Sequence, residues 1–260
     1  MHNKVAFVAA ASKGIGFAIA NELCSRGLSV VIASRSADNL RHASSTIQGV
    51  QPKALIDCCI MDLEDEHSVR SGLENVIRKF GRLDVLVTNS GGLGHGAVSD
   101  FDASRWIQAL TNKWWSLFWM LSVAVPVMRE KSHGAVLNIG SIYSKEPHNG
   151  YLLSNSVRLL SSAFLKSLSD EVAADGIRVN QLLCGFVYTE RLASHFRDVA
   201  RLRSITSDAA EAATKNSIPM KRFADPAEIG KTAAFLLSDD ASYITGQSLV
   251  VDGGLIRTAL

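Results

Sequence analysis

The sequence predicts an α/β fold: one doubly wound parallel sheet of seven strands with helices on both faces, in a single domain. Short apolar runs alternate with helix-length amphipathic segments along the whole chain, as repeated βαβ units do. The runs are apolar on both faces (Val5 to Ala10, Leu28 to Ala33), as strands covered on each side by helices require. No Pro/Gly/Ser-rich linker, low-complexity tract or internal repeat divides the 260 residues, so 1–260 is expected to form one domain.

The first unit runs from Val5 to Arg35. Its strand breaks at Ala11-Ser12-Lys13-Gly14-Ile15-Gly16, Phe17 to Arg26 carries apolar residues at helical spacing, and Gly27 stops that helix. Leu28 to Ala33 is the second strand, Ala37 to Gln48 the second helix and Lys53 to Ile60 the third strand. Glu64 to Phe80 is acidic early and ends on Arg78-Lys79, in agreement with the helix dipole, and Gly81 closes it. Val85-Leu86-Val87 begins the fourth strand. Asp102 to Met128 reads as one long helix holding all four tryptophans, a composition typical of a core or a subunit interface. Gly134 to Ser141 is the fifth strand, 143–150 a loop, Tyr151 to Ala174 a long helix and 176–183 the sixth strand. Residues 190–222 read as a mobile flap on the substrate side; Asp225 to Leu237 is the last helix and Ser248 to Val251 the seventh strand.

The bulk properties exclude several classes. A formal charge of +2 gives no electrostatic case for nucleic acid, and 47% hydrophobic residues suffice for a core. No apolar run is long enough to span a bilayer, and no signal-like segment opens the chain, so a cytoplasmic protein is expected. Four cysteines without CxxC spacing suit reduced thiols. Seven histidines form no HExxH and no His/Cys cluster, so no metal site is expected.

Ligands of such sheets bind beyond the carboxyl ends of the strands, where Gly14, Gly16, Gly91 and Gly92 fall. A glycine turn entering a helix offers N–H groups and the helix dipole to a phosphate. Ala9-Ala10-Ala11-Ser12-Lys13-Gly14-Ile15-Gly16 resembles the Thr-Gly-x-x-x-Gly-x-Gly turn of short-chain dehydrogenases/reductases, with alanines for Thr and the first Gly. Asn89-Ser90-Gly91-Gly92 resembles that family's Asn-Ala-Gly segment, and Ser141 falls at its catalytic serine. Cys184-Gly185-Phe186-Val187-Tyr188-Thr189 is similar to its Pro-Gly-x-Val-x-Thr. The tail from Ile244-Thr245-Gly246-Gln247 to Val251-Asp252-Gly253-Gly254 is similar to the branch containing β-ketoacyl carrier-protein reductases.

The resemblance covers nearly the whole chain and implies a Rossmann-type fold that assembles as a homodimer or homotetramer. It implies a dinucleotide held by Ala10, Ser12, Lys13, Gly14, Ile15, Gly16, Asn89, Ser90, Gly91, Arg158, Gly185, Val187 and Thr189, with Asp62 and Leu63 bordering the adenine. Alanine at position 10 is expected to keep a negative φ. NAD sites place a carboxylate near the end of the second strand; here Ser34 and Arg35 stand there, with Lys13 in the turn. Two cations and no acid favour NADP(H) over NAD(H), because a guanidinium grips a phosphate that a carboxylate would repel.

The family's tetrad consists of a serine, a tyrosine, a lysine four residues later and an asparagine. Registered from Lys166-Ser167-Leu168-Ser169-Asp170-Glu171, these positions hold Ser141, Ser154, Arg158 and Lys113. Arg158 keeps positive charge and donors for ribose hydroxyls but does not release a proton near neutral pH. A serine hydroxyl is too weak an acid to replace a phenol. Lys113 is a candidate donor if desolvation lowers its pKa; the bland alternative is a lysine whose stem packs along an apolar helix. A shifted helix would put Asn112 in its place. Tyr143, two residues beyond Ser141, is a second candidate, with Tyr151 and Tyr188 further off.

The flap carries Arg191, His195, Arg197, Arg201, Arg203, Lys215, Lys221 and Arg222, either a solvated face or a hint of a small acidic or carrier-linked substrate. The expected activity is NADP(H)-dependent interconversion of a carbonyl and a secondary alcohol on a small organic substrate, with a non-standard proton donor. Lyase, isomerase or cyclase chemistry on the same fold stays open because the tyrosine is lost. A non-catalytic cofactor-binding subunit stays open because of the alanines in the turn.

Overall fold

The computed structural model describes residues 4–94 and 96–258. Seven strands, β1 (Val5–Val8), β2 (Ser29–Ser34), β3 (Leu55–Ile60), β4 (Val85–Thr88), β5 (Gly134–Ser141), β6 (Ile177–Cys184) and β7 (Ser248–Val251), form one sheet in the order β3-β2-β1-β4-β5-β6-β7. Every pairing is parallel, so consecutive strands are joined by crossovers that run through helices. The order reverses between β1 and β4, which opens a crevice at their carboxyl ends.

Helices cover both faces. On one side α1 (Gly14–Ser25), α2 (Ala37–Val50) and α9 (Pro226–Leu237) bury Ile19, Leu23, Leu40, Ile47 and Ile229 against Val8, Ile32 and Leu137. On the other, α3 (Glu66–Phe80), α5 (Ser116–Glu130) and α6 (Leu152–Val172) bury Leu73, Met120, Leu121 and Leu165 against Phe7, Leu86 and Val136. Asp65 caps α3 by accepting from the N–H groups of His67 and Ser68, and Gly81 closes that helix at φ 70°.

Most element ends shift by one to three residues, and the larger departures from the expectation each have a local reason. β1 ends at Val8 because Ala10 turns into the left-handed region at φ 47°. The long tryptophan helix is α4 (Ala103–Leu110) and α5 joined by one π turn, Thr111–Trp115. The segment after Ser141 begins as a tight 3-10 turn, Ile142–Ser144, before it loops. Residues 190–222, expected as a flap, fold largely as α7 (Glu190–Arg203) and α8 (Ser207–Ser217), capped by the hydroxyls of Thr189 and Thr206. The Arg203 side chain lies outside the described residues.

A polar ladder crosses the sheet close to the site. Thr88 Oγ1 donates to Asn138 Oδ1 (3.0 Å), Asn138 Nδ2 to Gln181 Oε1 (2.7 Å) and Gln181 Nε2 to Ser162 Oγ (2.7 Å). It ties β4, β5, β6 and α6 together beneath the crevice with its buried polar groups satisfied. Among the described residues no helix is long and apolar enough to cross a membrane, and no cluster of metal-ligating side chains forms.

Candidate active site

The turn from β1 into α1 is the first wall of the crevice. Ala10 adopts φ 47°, contrary to the expected negative value, so the alanine bears the left-handed strain that glycine avoids. The turn is pinned: Ala11 N–H donates to Ala33 O (3.0 Å), and Asn89 Nδ2 donates to Ala10 O (3.4 Å). A Cβ on Gly16 would collide with the Ala10 carbonyl and lie 2.9 Å from Ala11 Cα, so only glycine permits this approach of helix to turn. Among the described residues no side chain caps α1, and its first turn holds no acid. Its leading N–H groups are therefore available to an anion.

These groups border a cavity of about 550 Å³ lined by Ala10, Ser12, Lys13, Gly14, Ile15, Ser34, Arg35, Asp62, Leu63, Asn89, Ser90, Gly91, Arg158 and Thr189, among others. Nearly all the residues expected to hold a dinucleotide thus face one space. Gly16 shapes the turn from within, while Gly185 and Val187 line the adjoining cavity that shares a wall with this one. The donor set fits a phosphorylated dinucleotide: an uncapped helix start, apolar Ile15 and Leu63, and the exposed Arg35 at the end of β2. Lys13, expected to share in gripping the phosphate, instead pairs with Glu190 at 2.8 Å across the mouth, both groups exposed.

The second cavity, about 200 Å³, meets the first at Ile15, Gly92, Gly140, Arg158, Thr189 and Arg191. Ser141, Tyr143, Tyr151, Ser154, Cys184 and His195 complete its chemistry. Ser141 ends β5 and its Oγ accepts from Tyr143 N–H (3.4 Å). Ser154 is buried, and its Oγ accepts from Arg158 Nε at 3.0 Å. Burial pulls the Arg158 guanidinium down to about 10, still charged at neutral pH, and pushes the adjacent Cys184 thiol up to about 12. Burial and the adjoining Tyr151 hold the Tyr143 phenol above its ordinary range, with Arg158 opposing.

Lys113 is placed differently. The π turn rotates it inward to 9% exposure, where its Nζ donates to Ser90 O at 2.9 Å. It lines a separate space of about 20 Å³ behind Ser90 and Arg158, not the second cavity. Burial, then the charges of Arg158 and Arg191, hold its pKa well below the usual lysine range. It therefore does not reach out along an apolar helix to water. Asn112 does not replace it: its Nδ2 donates to Glu64 Oε1 (2.9 Å) near the surface.

Of the basic residues between 190 and 222, only Arg191 and His195 line the second cavity among the described residues. Arg201, Lys215 and Arg222 are engaged by Asp198, Glu211 and Glu228 on the outside. Arg191 Nη2 donates to Leu93 O (3.2 Å), and its guanidinium lies where a side chain on Gly92 would be. The pairing of Tyr151 with His195, 44 residues apart, was invisible to any spacing rule; the glycine at 92 was the one available signal for Arg191.

Residues 9–256 match the family described as Enoyl-(Acyl carrier protein) reductase. The chain is similar to the NADPH-dependent reductase BacG of Bacillus subtilis (strain 168), 32% identical over 99% of this chain and 100% of that protein. Its fold is similar to the crystal structure of YwfH, an NADPH dependent reductase involved in bacilysin biosynthesis (TM-score 0.93, 30% identity, 98% and 99% of the two chains). It is also similar to an NADPH-bound short chain oxidoreductase from Pseudomonas aeruginosa PAO1 containing an atypical catalytic center (TM-score 0.89, 28% identity, 98% of each chain).

Proposed function

The chain belongs to the short-chain dehydrogenase/reductase family, and on that premise we propose that it is an NADPH-dependent reductase of a small carbonyl compound. One observation carries the proposal. The dinucleotide-sized crevice opens onto a smaller cavity that holds a serine, a phenol and a guanidinium at the shared wall. The NADPH dependence of BacG and the atypical centre of the Pseudomonas protein support it from outside this chain.

The residues divide the work as follows. Ser12 and the free N–H groups at the start of α1 hold the pyrophosphate, and Ser34 with Arg35 takes the 2′-phosphate. Asp62 and Leu63 border the adenine, Asn89 braces the turn, and Ser90, Gly91 and Arg158 face the nicotinamide ribose, with Thr189 at the carboxamide. When bound, the reduced nicotinamide supplies a hydride. Ser141 holds the substrate oxygen, and Tyr143 gives it a proton. Burial holds the Tyr143 phenol above its ordinary range, which weakens it as an acid, and the Arg158 charge opposes that shift. Lys113 acts as a positioning residue, through the Ser90 carbonyl to which its Nζ donates.

The cavity of about 200 Å³ lies below the roughly 300–1,000 Å³ usual for drug-sized ligands, which fits a small substrate, and Arg191 and Arg158 favour an acidic one. Exposed Trp115 and Phe118 on the α5 side, with Leu159 and Leu160 on α6, suit packing of copies into a homodimer or homotetramer. Four unpaired cysteines suit a reducing compartment such as the cytoplasm. The test supplies NADPH deuterated at the transferable position together with a panel of small ketones and keto acids. Deuterium in the alcohol product is expected. Product without deuterium, or bound NADPH that no carbonyl oxidises, would favour non-redox chemistry or a binding subunit.

A further inference from the structure

We infer that Tyr143, Tyr151 and His195 form a proton relay that recharges the donor of this site from the solvent side. The inference rests on the reductase reading above and adds to it the residues that sustain turnover. Three separate elements bring the groups together: the turn after β5, the residue before α6 and the second turn of α7. The rings of Tyr143 and Tyr151 lie 4.3 Å apart, and the Tyr151 hydroxyl is 3.4 Å from His195 Nε2. All three line the same cavity as Ser141, with Arg158 at the inner end and half-buried His195 at the outer end.

The chemistry requires such a path. Each reduction removes one proton from Tyr143 and leaves a phenolate in a largely buried place, where charge is costly. Arg158 does not return the proton, because it retains its own at neutral pH. Ser154 does not either, being a weaker acid that already accepts from Arg158. Tyr151 and His195 supply what these two cannot: a phenol that hands a proton along, and an imidazole, the side chain type that changes charge near neutral pH. In the balanced step, the new O–H bond at the substrate forms as the Tyr143 O–H breaks. The Tyr151 proton restores Tyr143, the Nε2 proton of imidazolium His195 restores Tyr151, and the imidazole takes a proton from water. The relay moves protons only; the electron pair travels with the hydride.

The charged and titratable groups facing the relay are Arg158 from α6, Cys184 from β6, Arg191 from α7 and His148 from the loop, its ring 5.5 Å from Tyr151. Among the described residues no carboxylate lines this cavity. Because His195 delivers its proton as the imidazolium, turnover falls as pH rises through the His195 pKa.

The experiment compares wild type with Tyr151→Phe and His195→Gln. With NADPH and the best ketone of the panel, either substitution is expected to lower kcat about tenfold or more with KM within about twofold, and to flatten the alkaline limb of the profile. Imidazole in the buffer is expected to restore part of the loss in His195→Ala. Tyr151→Phe keeps the ring packing, so an unchanged kcat and pH profile would overturn the relay. A second readout needs no turnover. In the NADP⁺-loaded protein, the His195 titration followed by NMR is expected to move when Tyr143 or Tyr151 becomes Phe, and an unmoved midpoint in both would also overturn it. A protein that binds no dinucleotide fails the reductase reading instead, while the same NMR titration on the free protein still decides whether the three groups are coupled.

Discussion

The two cavities that meet at Arg158 are made of different material. The larger is shaped by backbone: a left-handed turn at Ala10, a glycine at 16 that admits no side chain, and the open N–H groups of α1. The smaller is shaped by side chains, where Ser141, Tyr143, Tyr151, Ser154 and Arg158 come together from separate elements. A site made of backbone survives changes such as alanine at 9 and 10, because the atoms that bind are common to all residues. A site made of side chains changes its chemistry when they change.

The difference is sharpest at Gly16. Gly16→Val drives a side chain into the Ala10 carbonyl, which has no room to yield. NADPH affinity measured by calorimetry is expected to fall by about two orders of magnitude or more, on the order of 3 kcal/mol. Undiminished affinity would mean that this turn does not build the larger cavity. In the smaller cavity, Tyr143→Phe is expected to lower kcat by roughly 10²–10⁴ while leaving NADPH affinity unchanged. Equal activity would move the proton donor elsewhere in that cavity, with Tyr151 next in line.

Lys113 separates the regions by pH. Its folded pKa lies below its unfolded value of about 10.4, so between the two the unfolded chain binds more protons and stability rises with pH. Lys113→Met removes that dependence. The variant is expected to melt a few degrees higher than wild type at pH 7, roughly, with the gap closing toward pH 10. Melting curves that stay parallel across this range would show that the lysine does not carry a depressed pKa. The smallest effect is expected at Ala10→Gly. Relief of the left-handed alanine adds about 1 kcal/mol, or roughly 2–4 °C in Tm, with somewhat tighter NADPH binding. An unchanged melting temperature would argue that the turn relaxes around alanine in solution.

Strand and helix order was legible because period and breakers are local: the boundaries of β5 and β7 match the apolar runs residue for residue. Helical spacing put Ser154 and Arg158 on one face of α6, and the structure joins them by a hydrogen bond. What escaped depends on distance or on a small backbone event. The π turn that buries Lys113 adds no sequence signal to an apolar helix. The turn at Ala10 takes a φ that its residue type argues against. Lys13 is claimed by Glu190, and Tyr151 meets His195, only once α7 folds back over the sheet edge.

All of these assignments presuppose that the larger cavity receives a 2′-phosphorylated dinucleotide. Titration of wild type and Arg35→Asp with NADPH and NADH, followed by nicotinamide fluorescence, addresses this most directly. Wild type is expected to bind NADPH at least about tenfold more tightly than NADH, and Arg35→Asp to erase that preference. A wild-type protein that binds neither dinucleotide, or both equally, would contradict it.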